Sequence, residues 1–406
     1  MILFIAPNPH KVDKKEGFLQ RVAVIDSLFL DEEKIYFDDI NDVMERARLI
    51  RESDVIYVHS MYNANKILPC YEYFADKIIT DLHGVVPEEE QYIDNNEMAS
   101  VMGNTEEFVF KYGAMFVSVS NAMKEHFQSK YPYRRGRKWI TLPIHSETIV
   151  DKSDTAKIDK SSKNKDTVIY AGGGQRWQNV DAMIEIANKT SKYEFIFLSH
   201  DKKAFLDLKN NDSTLLKSVS SQEVAKYYKK ASMGFILRDD TIVNRVACPT
   251  KLIEYLENGV VPIVLSENIG DFNTLGYKYF KPEQLIEGTI SAEDIKCNIE
   301  NNYRVYNKFM KLADKGKSQL IKYRHFLASV DSGKRSSISV DAIYAYLKGV
   351  EDSNLLLRRN YQVEAQKIKI GEYAKMAEYY KAEYDNLAKR IDKIVILRKL
   401  IKKSNS

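Results

Sequence analysis

The sequence alternates short, continuously apolar runs with segments in which apolar residues recur at helical spacing. In the first part of the chain the apolar runs are 2–7, 34–38, 54–60, 77–84, 115–120 and 138–144. Helical patterns lie between these runs, for example at 17–30, 42–52 and 121–130. Strands that are apolar along their whole length, each followed by a helix, are typical of a parallel sheet that is covered by helices on both faces.

A polar segment interrupts this alternation, which then starts again. Residues 151–166, "DKSDTAKIDKSSKNKD", show no periodicity and are predicted to be a linker. Beyond them, apolar runs occur at 167–174, 194–200, 233–240 and 260–266, and helical patterns at 179–189, 221–231 and 249–258. We therefore predict an α/β protein with two doubly wound, Rossmann-like domains, 1–150 and 167–330. Ligands of such sheets bind beyond the carboxyl ends of the strands.

The last part of the chain has a different pattern. From about residue 291 helical spacing continues without strands, with a break near 329–337, which predicts a helical extension over 338–406. Apolar residues in 370–394 are spaced by alternating threes and fours, as in a coiled coil, so this segment is a candidate homo-oligomer contact. Residues 389–403 carry seven basic side chains and one acidic one, and could lie on an anionic membrane surface. The alternatives are a coiled-coil end that leaves its lysines in water and a helix that folds back on its own domain.

Composition and charge narrow the class of protein. The three cysteines are Cys70, Cys248 and Cys297, at spacings that fit neither a disulfide framework nor a zinc site, which indicates a reducing compartment. A net charge of +4 on 406 residues is too small a bias to indicate a nucleic-acid partner. No run of about 18 apolar residues occurs, and the first apolar run is too short for a signal peptide. We therefore expect a cytoplasmic protein, at most peripheral to the inner face of the plasma membrane.

The segment "CPTKLIEYLENGVVPIV" at 248–264 predicts a helix followed by a short strand. Pro249 is typical of a first helical turn, and Gly259 of the position just after a helix. Lys251 is unusual there, because a cation opposes the helix dipole at the amino end, and a bound anion would remove that conflict. Glu254, one turn further on, could accept hydrogen bonds from the hydroxyls of a ribose. The alternative is that Lys251 and Glu254 are ordinary solvent-facing residues.

The segment "YAGGGQRWQNVDAMIEIA" at 170–187 predicts a strand that ends in three glycines before a helix. Glycines let a phosphate approach the backbone, and the start of a helix offers unpaired N–H groups. Arg176 could add a charge-assisted contact to such a phosphate. The alternative is a flexible turn that carries a surface arginine.

Other polar residues give weaker signals. No group of His, Cys, Asp and Glu has metal-ligand spacing along the chain, so a site without a metal or a cofactor is expected. The acidic run "PEEEQ" at 87–91 is expected to be a solvated face or the first turn of a helix. Of the histidines that follow predicted strands, His83 is a better candidate for substrate contact than His59 or His145, although a histidine in such a place is commonly bonded to nearby backbone.

Several of these segments together resemble a known family. "PTKLIEYLENGVVPIV" resembles the donor-site motif of retaining GT-B glycosyltransferases, in particular glycosyltransferase family 4. "FILRDDTIVNRVA" at 235–247 fits the strand and loop before that motif, and "YAGGGQRWQNVDAMI" resembles the family's glycine turn. "TDLHG" at 80–84 and "VSVSNAM" at 117–123 resemble its acceptor-domain motifs. The resemblance covers about residues 1–290. It implies a GT-B fold and transfer of a sugar, with retention, from a nucleotide-diphosphate sugar to a polysaccharide, glycolipid or other glycan.

The resemblance also implies roles for single residues. It implies catalytic roles for His83, Arg176 and Lys251. It implies donor binding by Gly173, Gly174, Arg238, Asp240, Asn244, Thr250, Leu252 and Glu254. Two positions depart from the family pattern: Val246 stands where many members carry a glutamate, and Gln178 stands about where a lysine is common. The sugar-contacting role of that glutamate would pass to Asp239, Asp240 or Asn244, or be absent.

Two other functions stay open at this point. One is a catalytically degenerate GT-B subunit that stabilises a partner glycosyltransferase through the helices of 340–400. The other is a GT-B sugar-nucleotide epimerase, which shares the architecture.

Overall fold

The computed structural model describes residues 1–12, 17–132, 137–144, 164–209, 213–329, 338–352 and 381. Residues Met1–Tyr344 form one compact unit and Ala345–Ser406 a second, of which the described residues are helical. Apart from residue 381, the predicted coiled-coil segment 370–394 and the basic segment 389–403 lie outside the described residues. So do His145 and most of the predicted linker.

The first sheet contains six parallel strands. They are β1 (Ile2–Ile5), β2 (Lys34–Tyr36), β3 (Val55–His59), β4 (Ile78–Leu82), β5 (Met115–Ser118) and β6 (Lys138–Thr141). Their order across the sheet is β2-β1-β3-β4-β5-β6. The helices between them are α1 (Gly17–Ser27), α2 (Val43–Glu52), α3 (Ser60–Lys66), α4 (Cys70–Phe74), α5 (Val86–Tyr92), α6 (Asn96–Tyr112) and α7 (Asn121–Lys130). We call residues 1–144 the N-terminal half.

The second sheet contains five parallel strands. They are β7 (Asn164–Ala171), β8 (Glu194–Leu198), β9 (Thr214–Lys217), β10 (Ala231–Ile236) and β11 (Val261–Val264), in the order β11-β10-β7-β8-β9. The helices are α8 (Val180–Lys189), α9 (Ser221–Lys230), α10 (Ile242–Arg245), α11 (Thr250–Glu257), α12 (Phe272–Leu275), α13 (Pro282–Ile286) and α14 (Ala292–Ser329). We call residues 164–291 the C-terminal half.

The predicted fold class is confirmed, and each predicted apolar run forms a strand. Continuous apolar character is the reason, because strands such as β1, β3 and β4 are buried along their whole length between two helical layers. The sequence did not predict β9. This edge strand is half-buried and exposed in alternation and has no long apolar run. None of the described helices is long and apolar enough to span a bilayer.

Helix α14 connects the apolar cores of the two halves. Near its start, Ile295 and Ile299 pack in the core of the C-terminal half. Further along, Leu320 is fully buried in the core of the N-terminal half. Gly316 permits this crossing, because a β-carbon at that position would collide with the backbone oxygen of Thr141 at the end of β6. The two sheets are therefore held together by a helix that leaves one core and enters the other.

Asp271 makes a second connection between the halves. Its carboxylate accepts hydrogen bonds from the backbone N–H groups of Asn121, at 2.7 Å, and Ala122, at 2.9 Å, in the first turn of α7. The Asn121 side chain adds a third bond at 3.1 Å. A carboxylate at this place satisfies free helix N–H groups and lies at the positive end of the helix dipole. Ser120 reinforces the contact by donating a 2.6 Å hydrogen bond to the carbonyl of Val246.

We expect Asp271→Ala to lower the free energy of unfolding by about 1–3 kcal/mol, because it leaves helix donors without an acceptor. The measurement is urea unfolding followed by circular dichroism. The control is Asp42→Ala, which removes the cap of α2 within one half and should cost about 1 kcal/mol. An unchanged midpoint for the Asp271 variant would contradict this account of the connection.

Candidate functional site

The carboxyl ends of both sheets open onto one cleft of about 2100 Å³. The N-terminal half contributes Phe18, His83 and Glu89 to its walls, among others. The C-terminal half contributes residues that follow β7 and β10 and the start of α11. This is the place that the order of strands and helices predicted for a ligand.

The amino end of α11 faces the cleft. Pro249 is the residue before the helix rather than part of its first turn, and its carbonyl accepts from the N–H groups of Leu252, at 3.1 Å, and Ile253, at 3.4 Å. The N–H groups of Thr250 and Lys251 have no acceptor among the described residues, and both residues line the cleft. Gly259 has a φ of 64° just after the helix, as predicted. The helix therefore presents two free backbone donors to the cleft.

Lys251 is the first cation of the site. Its side chain is only 9% exposed, and its Nζ lies 3.8 Å from the centre of the Tyr170 ring and 3.2 Å from Oε1 of Gln178. Gly172 leaves room for this side chain, because a β-carbon there would lie 2.7 Å from that Nζ and displace it. Burial and the nearby Arg238 lower the pKa of Lys251 well below its usual value, although Glu254 opposes the change.

Arg238, just after β10, is the second cation. Its Nη1 donates a 3.3 Å hydrogen bond to Asn244, and Asn244 is fixed in turn by a 2.8 Å bond to the carbonyl of Asp239. The Nε of Arg238 is buried and has no partner among the described residues. Burial lowers the pKa of Arg238 to about 10. Neither Arg238 nor Lys251 forms a salt bridge with a described residue. The carboxylates that act on them electrostatically from further away are Glu89 for Arg238 and Glu254 for Lys251.

Glu254 lies one turn into α11 and also lines the cleft. It is half-buried, and its carboxylate accepts a 3.1 Å hydrogen bond from Tyr228 of α9. This bond holds the side chain on the cleft side of the helix. Thr250, Lys251 and Glu254 are therefore brought together as the helical spacing predicted.

On the opposite wall, a buried ion pair lies at the end of β4. Asp81 and Arg21 are both completely buried, and the guanidinium donates to both carboxylate oxygens at 3.0 and 2.9 Å. Tyr57 donates a third hydrogen bond at 3.0 Å. Although burial opposes ionisation, Arg21 and His83 hold the pKa of Asp81 well below its usual range. The carboxylate is thus a fixed negative charge beneath the floor of the cleft.

This carboxylate orients His83. The Nε2 of His83 lies 3.4 Å from Asp81 and 3.2 Å from Nδ1 of His59. His83 lines the cleft with 11% of its side chain exposed, and its Nδ1 has no partner among the described residues. His83 is therefore bonded to side chains rather than to backbone, which was the alternative considered from the sequence. His59 is completely buried and cannot contact a ligand in the cleft.

The same three residues bring together atoms of the kind that bind metals. The ligand atoms of His59, Asp81 and His83 lie within 4.8 Å of one another. Spacing along the chain did not predict this group, because its members come from two neighbouring strand ends. However, both oxygens of Asp81 already accept from Arg21 and Tyr57. A metal ion there would lie beside a buried guanidinium, so the arrangement suits the orientation of His83 better than metal binding.

Several residues with implied roles lie away from the cleft. Arg176 is 60% exposed and pairs with Asp94 of the N-terminal half at 2.6 Å, and it is not part of the cleft wall. Asp240 is exposed and pairs with Arg245 at 2.7 Å. Leu252 is completely buried in the core.

Gly174 and Asn244, which also have implied roles, do not line the cleft, and neither does Val246. A β-carbon at Gly174 would collide with Ala204, so this glycine permits close packing of the turn. Asn244 supports Arg238 from behind, and Val246, where the family pattern has a glutamate, is an apolar residue with only 2% exposure. By contrast, Gly173 lines the cleft and its carbonyl accepts a 2.6 Å bond from Tyr170.

Sequence reasoning missed several residues of the site, among them Tyr170 and Glu89. Tyr170 lies under Lys251, and its place on the strand just before the glycines was the signal that could have identified it. Glu89 belongs to the acidic run that was expected to be solvated or in a first helical turn. The run does form α5, but Glu89 lines the cleft.

Comparison with known proteins gives evidence of fold. No family model and no curated protein matches the chain. The structure of Anabaena Alr3699/HepE in complex with UDP and glucose is similar, with a TM-score of 0.53 and 12% identity over 79% of this chain and 98% of that one. A glycosyltransferase from Rickettsia africae ESF-5 is similar with a TM-score of 0.53 and 16% identity, over 81% and 99% of the two chains. Sucrose-phosphate synthase from Thermosynechococcus elongatus has a TM-score of 0.53 and 11% identity, over 72% and 79%. This chain therefore has the two-sheet GT-B fold of those structures.

We expect Asp81→Asn to lower the free energy of unfolding at pH 7 by about 3–5 kcal/mol, because the variant leaves the Arg21 guanidinium buried without its counter-charge. The folded-state pKa of Asp81 lies below its unfolded value of about 3.9. The stability that the carboxylate contributes is therefore present at neutral pH and is lost as the pH falls below about 4.

Urea unfolding of both proteins between pH 7 and pH 3 is the measurement, and the difference between them should shrink toward pH 3. Asp54→Asn is the control, because Asp54 forms an exposed pair with the N-terminal amino group and should change little. A difference that stays constant with pH would contradict the assignment of a depressed pKa to Asp81.

Proposed function

We propose that this chain is a glycosyltransferase that moves a sugar from a nucleotide-diphosphate sugar to a glycan acceptor in the cleft. The observation that carries the proposal is the pair of buried cations, Lys251 and Arg238, next to the free N–H groups of α11. A buried cation without a counter-charge is costly. A diphosphate supplies that counter-charge and accepts hydrogen bonds from the backbone donors.

The rest of the donor fits the residues around these cations. Gly172 and Gly173 line the cleft beside Lys251 and let phosphate oxygens approach the backbone. Glu254, one turn further along α11, accepts hydrogen bonds from ribose hydroxyls. The sugar then extends toward His83 on the opposite wall. Arg238 takes the phosphate-binding role that the family resemblance implies for Arg176, because Arg176 is paired with Asp94.

The chemistry follows from this placement. When the bond between the anomeric carbon and the diphosphate breaks, negative charge develops on the departing oxygen. Lys251, Arg238 and the amino end of α11 stabilise that charge, and they are fixed before the reaction begins. These groups supply positive charge where other transferases use a metal ion, so we propose a metal-independent reaction. The resemblance implies retention of configuration at the anomeric carbon. The stereochemical outcome depends on the face from which the acceptor hydroxyl attacks, and the group that receives the hydroxyl proton helps to set that face.

The choice of donors to test first, and the class of acceptor, can be proposed. The similar structure of HepE contains UDP and glucose, which makes uridine nucleotides the first donors to test. The proposed acceptor is a growing cell-surface polysaccharide or a lipid-linked sugar. The predicted membrane contact of 389–403 and the predicted oligomer contact of 370–394 would place the cleft near such an acceptor.

A non-catalytic GT-B subunit is the second candidate. Val246 favours it, since this buried apolar residue replaces a glutamate that many family members carry. Turnover of a sugar nucleotide by the purified chain alone would exclude it.

The first test is calorimetric titration with UDP, GDP, ADP and TDP. We expect one of them to bind, and we expect Lys251→Met to weaken that binding at least tenfold, which corresponds to about 1.4 kcal/mol. Lys189→Met is the control, because Lys189 is an exposed lysine that pairs with Glu185 on α8. If folded wild-type protein binds none of the four nucleotides, the proposed function is wrong.

A second test uses the lowered pKa of Lys251. A bound diphosphate favours the charged ammonium and raises this pKa, so binding takes up a proton. Affinity should therefore increase as the pH is lowered. The binding enthalpy should also depend on the ionisation enthalpy of the buffer, which calorimetry in Tris and in HEPES measures. Lys251→Met should remove the buffer dependence, and a wild-type enthalpy that is equal in both buffers would contradict the assignment.

A further inference from the structure

Glu89 is held at the cleft by the backbone around it. Its backbone N–H donates a 2.9 Å hydrogen bond to the carbonyl of Val85, the residue before α5. The Oε1 atom lies against Gly84, where a β-carbon would collide with it. The side chain lines the cleft on the N-terminal wall, six residues after His83. The carboxylate therefore packs against the backbone that leads into α5.

The two neighbouring glutamates have other partners. Glu88 pairs with Lys130 at 2.8 Å and lies 3.6 Å from His126. Glu90 accepts hydrogen bonds from Tyr62 and, at 2.6 Å, from Asn95. Neither Glu88 nor Glu90 is part of the cleft wall. Only the middle carboxylate of "EEE" faces the cleft.

The N-terminal wall contains one other carboxylate, and it is neutralised. Asp38 lines the cleft but pairs with Lys66 at 2.7 Å. Glu89 forms no salt bridge with a described residue. Arg238 of the C-terminal half, which lines the same cleft, is the cation that acts on it electrostatically. Glu89 is therefore a carboxylate on the acceptor side that the proposed donor site does not use.

Burial raises the pKa of Glu89 to about 7, with Glu88 and Glu90 adding to the effect and the Val85 N–H and Arg238 opposing it. Both forms of the carboxyl are therefore populated near neutral pH. A carboxylate tuned to this range by burial is well matched to general-base catalysis.

We infer that Glu89 is the general base that takes the proton from the attacking acceptor hydroxyl. This inference rests on the proposed function, since it concerns the same cleft. The hydroxyl oxygen forms a bond to the anomeric carbon while its proton passes to the Glu89 carboxylate. The bond from the anomeric carbon to the diphosphate breaks, and its electron pair leaves on the diphosphate beside Lys251 and Arg238. The protonated Glu89 then releases its proton to water.

The position of Glu89 has a stereochemical consequence. It lies on the N-terminal wall, whereas Lys251 and the amino end of α11 lie on the C-terminal wall. A hydroxyl held by Glu89 reaches the anomeric carbon from the side away from the diphosphate, so the configuration is inverted. This departs from the retention that the family resemblance implies. The buried valine at 246 agrees with the departure, because the donor side lacks the glutamate that many retaining members carry there.

The test uses hydrolysis of sugar nucleotides, in which water replaces the unidentified acceptor. UDP-glucose, UDP-galactose, UDP-N-acetylglucosamine and GDP-mannose are compared by nucleotide release, and the best of them is used further. We expect Glu89→Gln to lower turnover by about 10²- to 10⁴-fold, with the affinity for the nucleoside diphosphate unchanged. The wild-type pH profile should show an acid limb near pH 7 that the variant lacks. Glu88→Gln is the matched control on the same helix and should keep turnover within about threefold of wild type, as is usual outside the catalytic groups.

Proton nuclear magnetic resonance of the freshly released sugar gives a second readout. We expect the β anomer from an α-linked donor. Release of the α anomer, or turnover of Glu89→Gln within threefold of wild type, overturns the inference while leaving the proposed function in place. Nucleotide affinity serves as the check that Glu89→Gln is folded, and Glu89→Asp should recover part of the lost turnover. If the wild type neither binds nor hydrolyses any of these donors, the proposed function fails and this inference fails with it.

Discussion

The buried ion pair between Arg21 and Asp81 organises the N-terminal wall of the cleft. The guanidinium bonds to the Asp81 carboxylate at the end of β4 and to the carbonyl of Leu142, which follows β6, at 2.7 Å. One side chain of α1 thereby joins a central strand to the last strand of the sheet. Because Asp81 also lies 3.4 Å from His83, the same pair fixes the imidazole that faces the cleft. Breaking the pair would expose an uncompensated charge in the core, so the shape of this wall and its stability depend on the same contact.

The C-terminal wall differs from the N-terminal wall because its buried cations form no salt bridge with a described residue. These cations are Lys251 and Arg238, and the first two N–H groups of α11 lack acceptors among the described residues. The protein supports this arrangement with neutral contacts, namely the Tyr170 ring, the Gln178 amide and Asn244. Such unsatisfied polarity is what a preorganised anion site requires, since donors that are already fixed need not reorganise when charge develops on the ligand.

The two walls face each other because the halves are tied at several places. Helix α14 enters both apolar cores, and Asp271 of the C-terminal half caps α7 of the N-terminal half. On the rim, Arg176 pairs with Asp94, and Tyr92 donates a 2.8 Å hydrogen bond to Asp239. The apolar contacts and the partly buried cap provide the lasting connection. The exposed pair on the rim contributes little to stability, because solvent screens it.

The sequence alone determined the features that depend on neighbouring residues. Continuous apolar runs specified the strands, and the spacing from Pro249 to Gly259 specified α11 and the face on which Lys251 and Glu254 lie. These predictions succeeded because strand burial and helical periodicity are local properties. The edge strand β9 was missed because its residues are only partly buried and lack that pattern.

Only the tertiary structure decided which side chains meet. In the folded chain Arg176 pairs with Asp94 outside the cleft, whereas Arg238 lies in the cleft wall. Glu89 also lines the cleft, although its two acidic neighbours bond to other residues. The tertiary structure also joined His59 and His83 around one carboxylate. The partners in these contacts lie far apart along the chain or on different elements. Local periodicity therefore cannot predict them. Which cation forms a salt bridge and which does not is decided only when the two sheets are packed together.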